Sequence, residues 1–176
     1  MIRAILDGRK TQTRRIVKPQ PDRISFEFLR DVEGGKYGKP GDLLWVRESW
    51  AAPHAFDHLP PRLIPAGTNF HYRATEDGPS GLLWRSSIHM PRWASRITCE
   101  LIDVQVERLQ DISDEDVIAE GVRCDHDVGN SEYDRCDASP REHFAELWAS
   151  LHGPGSWEAN PYVRTLSFQT HFASEK

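Results

Sequence analysis

The sequence predicts an α+β fold: a small, partly open β-barrel of about five or six strands with three short helices at its rim. Two observations carry this expectation. Alternating apolar stretches are separated by Pro/Gly turns and joined irregularly, without regular βαβ crossovers. Between them lie three short helical patterns, two of which open on capping boxes. The length of 176 residues fits a single domain, 1–176, and six Trp, seven Phe and four Tyr supply a core that no solvated tail would need.

The elements follow in order. Ile2, Ile5 and Leu6 sit at helical spacing, so a helix is expected over 2–7, closed by Gly8. A turn at 8–10 leads into a strand over 11–17, which places Thr11, Thr13 and Arg15 on one face and Gln12 and Arg14 on the other. Pro19 and Pro21 end it. Ile24, Phe26 and Phe28 alternate, and Gly34-Gly35 marks a turn. Pro40-Gly41-Asp42 turns into LLWVRESW, read as one strand with Leu44, Val46, Glu48 and Trp50 on a single face. Arg47 and Glu48 are charges inside an apolar strand: either they form a salt-bridged wall, or one faces a polar pocket.

Two long loops lie within 52–94, on either side of a strand over 69–74. The first carries Phe56, Leu59 and Leu63 to pack inward. The second is rich in Trp84, His89, Met90 and Trp93, and long aromatic loops are often functional. A long strand over 95–108 places Ile97, Cys99 and Leu101 on one face and Ile102, Val104 and Val106 on the other, a phase change that suggests a bulge near Leu101. Ser113 and Asp116 form a capping box for a helix over 114–120 that stops at Gly121, which leaves Glu120 at a helix C-terminus, where the dipole disfavours it. An acidic insertion occupies 122–138. Ser139-Pro140-Arg141-Glu142 then caps a helix over 140–151 whose Phe144, Leu147, Trp148 and Leu151 form a core-facing stripe. A last strand over 161–169 and a disordered tail from Ala173 complete the chain.

Composition narrows the function classes. The net charge of −5 gives no whole-protein attraction to nucleic acid. The charge is unevenly placed: residues 1–18 carry six cations against Asp7, a net of +5, while residues 111–146 carry twelve acids against three arginines, a net of −9. A basic edge could hold one phosphate or a short single strand. Three cysteines without CxxC spacing argue against a disulfide framework. Cys124, His126, Cys136 and His143 match no standard ligand spacing, so neither metal nor other cofactor is expected. With no long apolar run and a charged N-terminus, a cytoplasmic protein without a membrane partner is expected.

The densest chemistry lies in Gly8-Arg9-Lys10-Thr11-Gln12-Thr13-Arg14-Arg15. On residue types alone it is either a basic surface turn or a site. Together with Pro40-Gly41-Asp42-Leu43-Leu44-Trp45-Val46-Arg47-Glu48-Ser49-Trp50 it resembles the ASCH domain family of the PUA-like β-barrels, matching at Gly8, Lys10, Arg15, Gly41 and Asp42. The family often has a glutamate where this chain has Thr13. That departure is similar to the subgroup of N4-acetylcytidine amidohydrolases, which carry a G-R-K-T-x-T-x-R run. The resemblance covers roughly 1–50, 95–121 and the last strand; the longer loops look like those of phage and prophage ASCH proteins. Family members carry a strand ahead of the first helix. Either a segment lies upstream of this sequence, or the barrel lacks an edge strand and the exposed edge invites dimerisation, so monomer and homodimer both stand.

The resemblance implies a metal-independent amidohydrolase acting on an N4-acylated cytidine-like nucleoside through Lys10, Thr13 and Glu120. Thr13 would be the nucleophile, a neutral Lys10 its proton acceptor, and Glu120 the donor to the leaving amine. Neighbouring arginines and partial burial would push the Lys10 pKa down, as that role requires. Arg14, Arg15, Arg47, Glu48, Trp50, Tyr72, His89 and Trp93 are the candidate substrate-binding residues. The alternatives are an RNA- or modified-base-binding module without catalysis, in which Lys10, Arg14 and Arg15 contact phosphate and Trp50, Tyr72 or Trp93 stack a base, and a ribonuclease using the same lysine and acid.

Overall fold

The computed structural model describes residues 1–25, 28, 38–75, 78–122 and 139–172. Within these residues the chain is mixed α+β, with six strands in two sheets and three α-helices. The strands are β1 (Gln12–Ile16), β2 (Leu43–Trp45), β3 (Trp50–Ala51), β4 (His71–Tyr72), β5 (Ile97–Arg108) and β6 (Tyr162–Phe172). The helices are α1 (Ile2–Leu6), α2 (Asp114–Ala119) and α3 (Pro140–His152). One sheet has the order β1-β6-β5-β2, and the other pairs β3 with β4. No pairing between β1 and β2 closes the larger sheet among the described residues. No helix among them is long and apolar enough to cross a membrane.

The chain packs as two compact units: Met1, Arg3–Asp42 and Leu101–Gln169 form the first, and Ile2, Leu43–Glu100 and Thr170–Lys176 the second. In the first unit β1 runs antiparallel to β6, from Gln12 opposite Ser167 to Ile16 opposite Val163. Its core gathers Leu109, Ile112, Val117, Phe144, Trp148 and Val163, with Val122 and Trp157 packed against it. Both capping boxes form: Ser113 accepts from the Asp116 amide, and Ser139 from the Glu142 amide with Pro140 at the first helical position. Replacing Ser113 by alanine is expected to cost about 1 kcal/mol of stability, read as a shift in the denaturation midpoint.

The second unit has its own core around Trp50, Ala52, Ile64, Met90 and Ala94. Here β2 lies antiparallel to β5, with Leu43 opposite Glu100 and Trp45 opposite Thr98. The segment expected as one strand over 43–50 is split: Val46–Ser49 leave the ladder, and Trp50 pairs with Tyr72 of β4 instead. The strand expected over 69–74 is only His71–Tyr72. Alternation of side chains misled both expectations, because it does not report whether a neighbouring strand supplies hydrogen bonds. The loops contain four 3-10 turns: His54–Phe56, Pro61–Leu63, Ser87–His89 and Arg92–Ala94. Phe56 and Leu59 pack inward as expected, whereas Leu63 is exposed. Ile102 is likewise exposed, on a β5 that runs unbroken, so its burial does not support the expected bulge.

Phe26 and the Gly34-Gly35 turn, the insertion beyond Val122 with Cys124, His126 and Cys136, and the tail from Ala173 lie outside the described residues. No metal-binding group of three or more His, Cys, Asp or Glu gathers among the described ones.

Candidate functional site

Three local features bring the ends of the candidate triad together within the first unit. Asp7 caps α1, and Gly8 turns the chain at φ 71°. The Lys10 amide then donates to the Ala4 carbonyl, and the Thr11 amide to the Ala119 carbonyl, both at 2.8 Å. The second bond ties the glycine turn to the last turn of α2. Glu120 follows as the C-cap of α2, and Gly121 turns away at φ 81°. Lys10 and Glu120, 110 residues apart in sequence, are therefore fixed face to face.

Lys10 Nζ lies 2.5 Å from Glu120 Oε2 and donates to the Glu120 carbonyl at 2.7 Å. Both side chains are nearly sealed, at 4% and 8% exposure. The dipole argument against a carboxylate at a helix C-terminus is thus answered by an ammonium on the same terminus. Burial pushes the Lys10 pKa below 10.5; Glu120 opposes this, and Arg15 and Arg14 add to the depression. The direction is the one expected from sequence, but its main cause is desolvation, with the arginines second.

Arg14 is held inside this cluster. Its side chain is 0% exposed, and its guanidinium is spent on carboxylates. Nε and Nη2 reach Glu107 Oε1 at 2.9 and 2.8 Å, Nη2 reaches Asp116 Oδ2 at 3.1 Å, and Nη1 stands 3.6 Å from Glu120 Oε1. Gln12 accepts from Nη1 at 2.6 Å and donates to Asp116 at 3.0 Å. This matches the strand alternation that put Gln12 and Arg14 on one face. Thr165 on β6 donates to Glu107 at 2.6 Å. Arg14 therefore positions Glu120 through a buried network. Glu107 on β5 and Asp116 on α2 were missed as partners of Arg14 because spacing alone does not reveal a partner on a distant element, whereas Gln12 shares its face of β1.

A cavity of about 300 Å³ opens on this cluster, lined by Lys10, Thr13, Arg14, Arg15, Glu120 and Gly121. Met1 and the α3 residues Phe144, Leu147, Trp148, Leu151 and His152 form its other wall. The α3 stripe thus has two duties: Phe144 and Trp148 are core, but Leu147 and Leu151 are 42% and 60% exposed and line the cavity. The expectation of an all-core stripe is corrected accordingly. His152 stacks on Trp148 with ring centroids 4.2 Å apart. Thr13 also lines the cavity, and its side chain has no hydrogen-bond partner among the described residues.

Gly121 is held to glycine twice over. A Cβ there would lie 2.9 Å from both the Ala4 and the Lys10 Cβ, and φ is positive. Gly121→Ala is expected to cost about 2 kcal/mol and to displace Lys10; unfolding and turnover measured on the same preparation check both.

The remaining candidates belong to the second unit and take no part in this cavity. Trp50 is completely buried in the core, so it cannot stack a base. Glu48 is buried against Arg96, with paired contacts of 2.9 and 3.0 Å, which makes it a salt-bridged wall residue. Arg96→Ala should cost about 2 kcal/mol in a denaturation experiment without altering chemistry at Lys10. The Arg47 guanidinium rests 4.7 Å over the Trp45 ring and near the Ile88 carbonyl. Tyr72 donates to the Ala94 carbonyl at 2.9 Å beneath the Arg96 guanidinium, and burial raises its pKa. His89 is exposed in its turn, and Trp93, 41% exposed, packs against Phe70. No family model matches this chain, and neither does any curated protein or solved structure.

Proposed function

We propose that the Lys10–Thr13–Glu120 cluster is the active site of a metal-independent amidohydrolase for an N4-acylated cytidine-like nucleoside, carried on a partly open PUA-like barrel of the ASCH type. The observation that carries this reading is the sealed Lys10–Glu120 pair at 2.5 Å in a cavity that Thr13 also lines. A surface ion pair would do nothing of this kind. Burial disfavours the charged form of Lys10, which favours the neutral amine that a base requires.

With the proton on Glu120, a neutral Lys10 accepts the Thr13 proton as Oγ1 bonds to the acyl carbon. Glu120 Oε2 is engaged by Lys10, whereas Oε1 has no hydrogen-bond partner among the described residues. Glu120 delivers its proton to the exocyclic nitrogen as the C–N bond breaks. The site then holds an acyl-threonine ester, a lysine ammonium and a glutamate carboxylate. Water attacks the ester and gives its proton to Glu120. The departing Thr13 oxygen takes one from Lys10, which restores the starting state with the free acid as product. General acid and base steps of this kind are typically worth about 10²–10⁴-fold each.

The binding-module alternative loses support, because Lys10 and Arg14 are already neutralised by carboxylates and Trp50 is inaccessible. Mass-spectrometric detection of cytidine released from N4-acetylcytidine by the wild-type protein tests the proposal. Release is expected; none at high enzyme concentration overturns it.

A further inference from the structure

The cavity has a charge gradient that hydrolysis of a neutral nucleoside does not need. Its floor is electrically closed: Lys10 meets Glu120, and Arg14 meets Glu107, Asp116 and Glu120. Its mouth is not. Arg15 and His152 line the same cavity, and both are exposed. Arg15 makes one hydrogen bond, from Nη1 to the Arg14 carbonyl, and pairs with no carboxylate among the described residues. Lys18, three residues further along the chain and outside the cavity lining, is exposed and also lacks an acidic partner among them. Burial, then Arg15 and Lys18, depress the His152 pKa, so the field of both cations reaches the His152 ring at the mouth. The one carboxylate among the described lining residues, Glu120, is already taken by Lys10.

We infer that the mouth of this cavity is an anion subsite, formed by Arg15 and His152 with Lys18 as an outlying charge, that takes the 5′-phosphate of the substrate, so that the preferred substrate is an acylated cytidine monophosphate. This rests on the amidohydrolase reading of the same cavity. At about 300 Å³ the cavity is at the small end of ligand sites. It accepts a base and its acyl group but leaves ribose and phosphate at the mouth, where Arg15 and His152 stand. A phosphate dianion suits an arginine fork supported by a lysine point charge. His152, held in place by its stack on Trp148, supplies a ring nitrogen at the same rim.

The test compares kcat/KM for N4-acetylcytidine and its 5′-monophosphate in wild type, Arg15→Gln and Lys18→Gln, at low and rising salt. Wild type is expected to favour the monophosphate by at least about tenfold, a ratio worth about 1.4 kcal/mol. Each variant should pull that ratio towards one, whatever happens to the nucleoside rate, and salt should do the same because the cations are exposed. A wild-type ratio near one, or a ratio indifferent to both substitutions, overturns the subsite. If neither compound is turned over, the amidohydrolase reading has failed, and calorimetric binding decides the subsite alone. Cytidine monophosphate binding at least tenfold tighter than cytidine, and weakened by Arg15→Gln, supports it; equal or absent binding overturns it.

Discussion

Lys10→Ala is expected to reduce cytidine release from N4-acetylcytidine by about 10²–10⁴-fold, the range a positioned general base supplies. The lysine does not hold the substrate by charge, since its Nζ is already engaged by the Glu120 carboxylate and carbonyl. The loss should therefore fall mainly on kcat, with KM little changed. Lys10→Met, which keeps the bulk of the side chain, should be as inactive, and this separates proton transfer from packing. Glu120→Gln keeps a hydrogen-bonding partner for Lys10 but removes the mobile proton, so it should be impaired to a similar degree. Retained turnover in Lys10→Met would sink the assignment.

The same pair fixes the pH dependence. Burial depresses the folded Lys10 pKa below its unfolded 10.5. Between those two values the unfolded chain binds more protons, so the Lys10 contribution to stability rises with pH across that window. Activity should also rise with pH, on a limb that belongs to the coupled pair and lies below the titration of a free lysine. A pH–rate profile from neutral to alkaline conditions reads this directly. A flat profile would mean that the neutral lysine is not required.

The largest stability effect is expected at Arg14. Arg14→Met should lower the unfolding free energy by about 3–5 kcal/mol, because it strands Glu107, Asp116 and Glu120 around an apolar side chain. That is a large share of the roughly 5–15 kcal/mol by which proteins of this size are stable. Arg14→Lys should recover only part of it, since one ammonium cannot span Glu107, Asp116 and Gln12 as the planar fork does. Denaturant unfolding of the three proteins tests this; a change under about 1 kcal/mol in Arg14→Met would show that the carboxylates adapt. Asp116 adds an acid dependence. Burial would raise its pKa, but hydrogen bonds from Gln12 and Ser113 and the Arg14 charge hold it below 3.8. Its contribution is present above the unfolded value and is lost as pH falls through the depressed folded one.

Local chemistry was legible in the sequence wherever the cause is local. The Gly8 turn, both capping boxes, the Gly121 stop and the alternation through Thr13 and Arg14 each depend on residues within a few positions, and each forms as expected. The split of the 43–50 segment, the burial of Trp50 and the pairing of Glu48 with Arg96 were not legible, because each is decided by a partner more than twenty residues away. The candidate site divides along the same line. Sequence placed Lys10 after a glycine turn and Glu120 at the end of a capped helix. Only the tertiary structure set them 2.5 Å apart, buried Arg14 among three acids and left Arg15 at the cavity with no carboxylate partner among the described residues. The physical reason is that neither burial nor a charge's partner is a property of the residue itself. Both arise only when distant segments exclude water from the same place, and that exclusion makes a basic turn a candidate site.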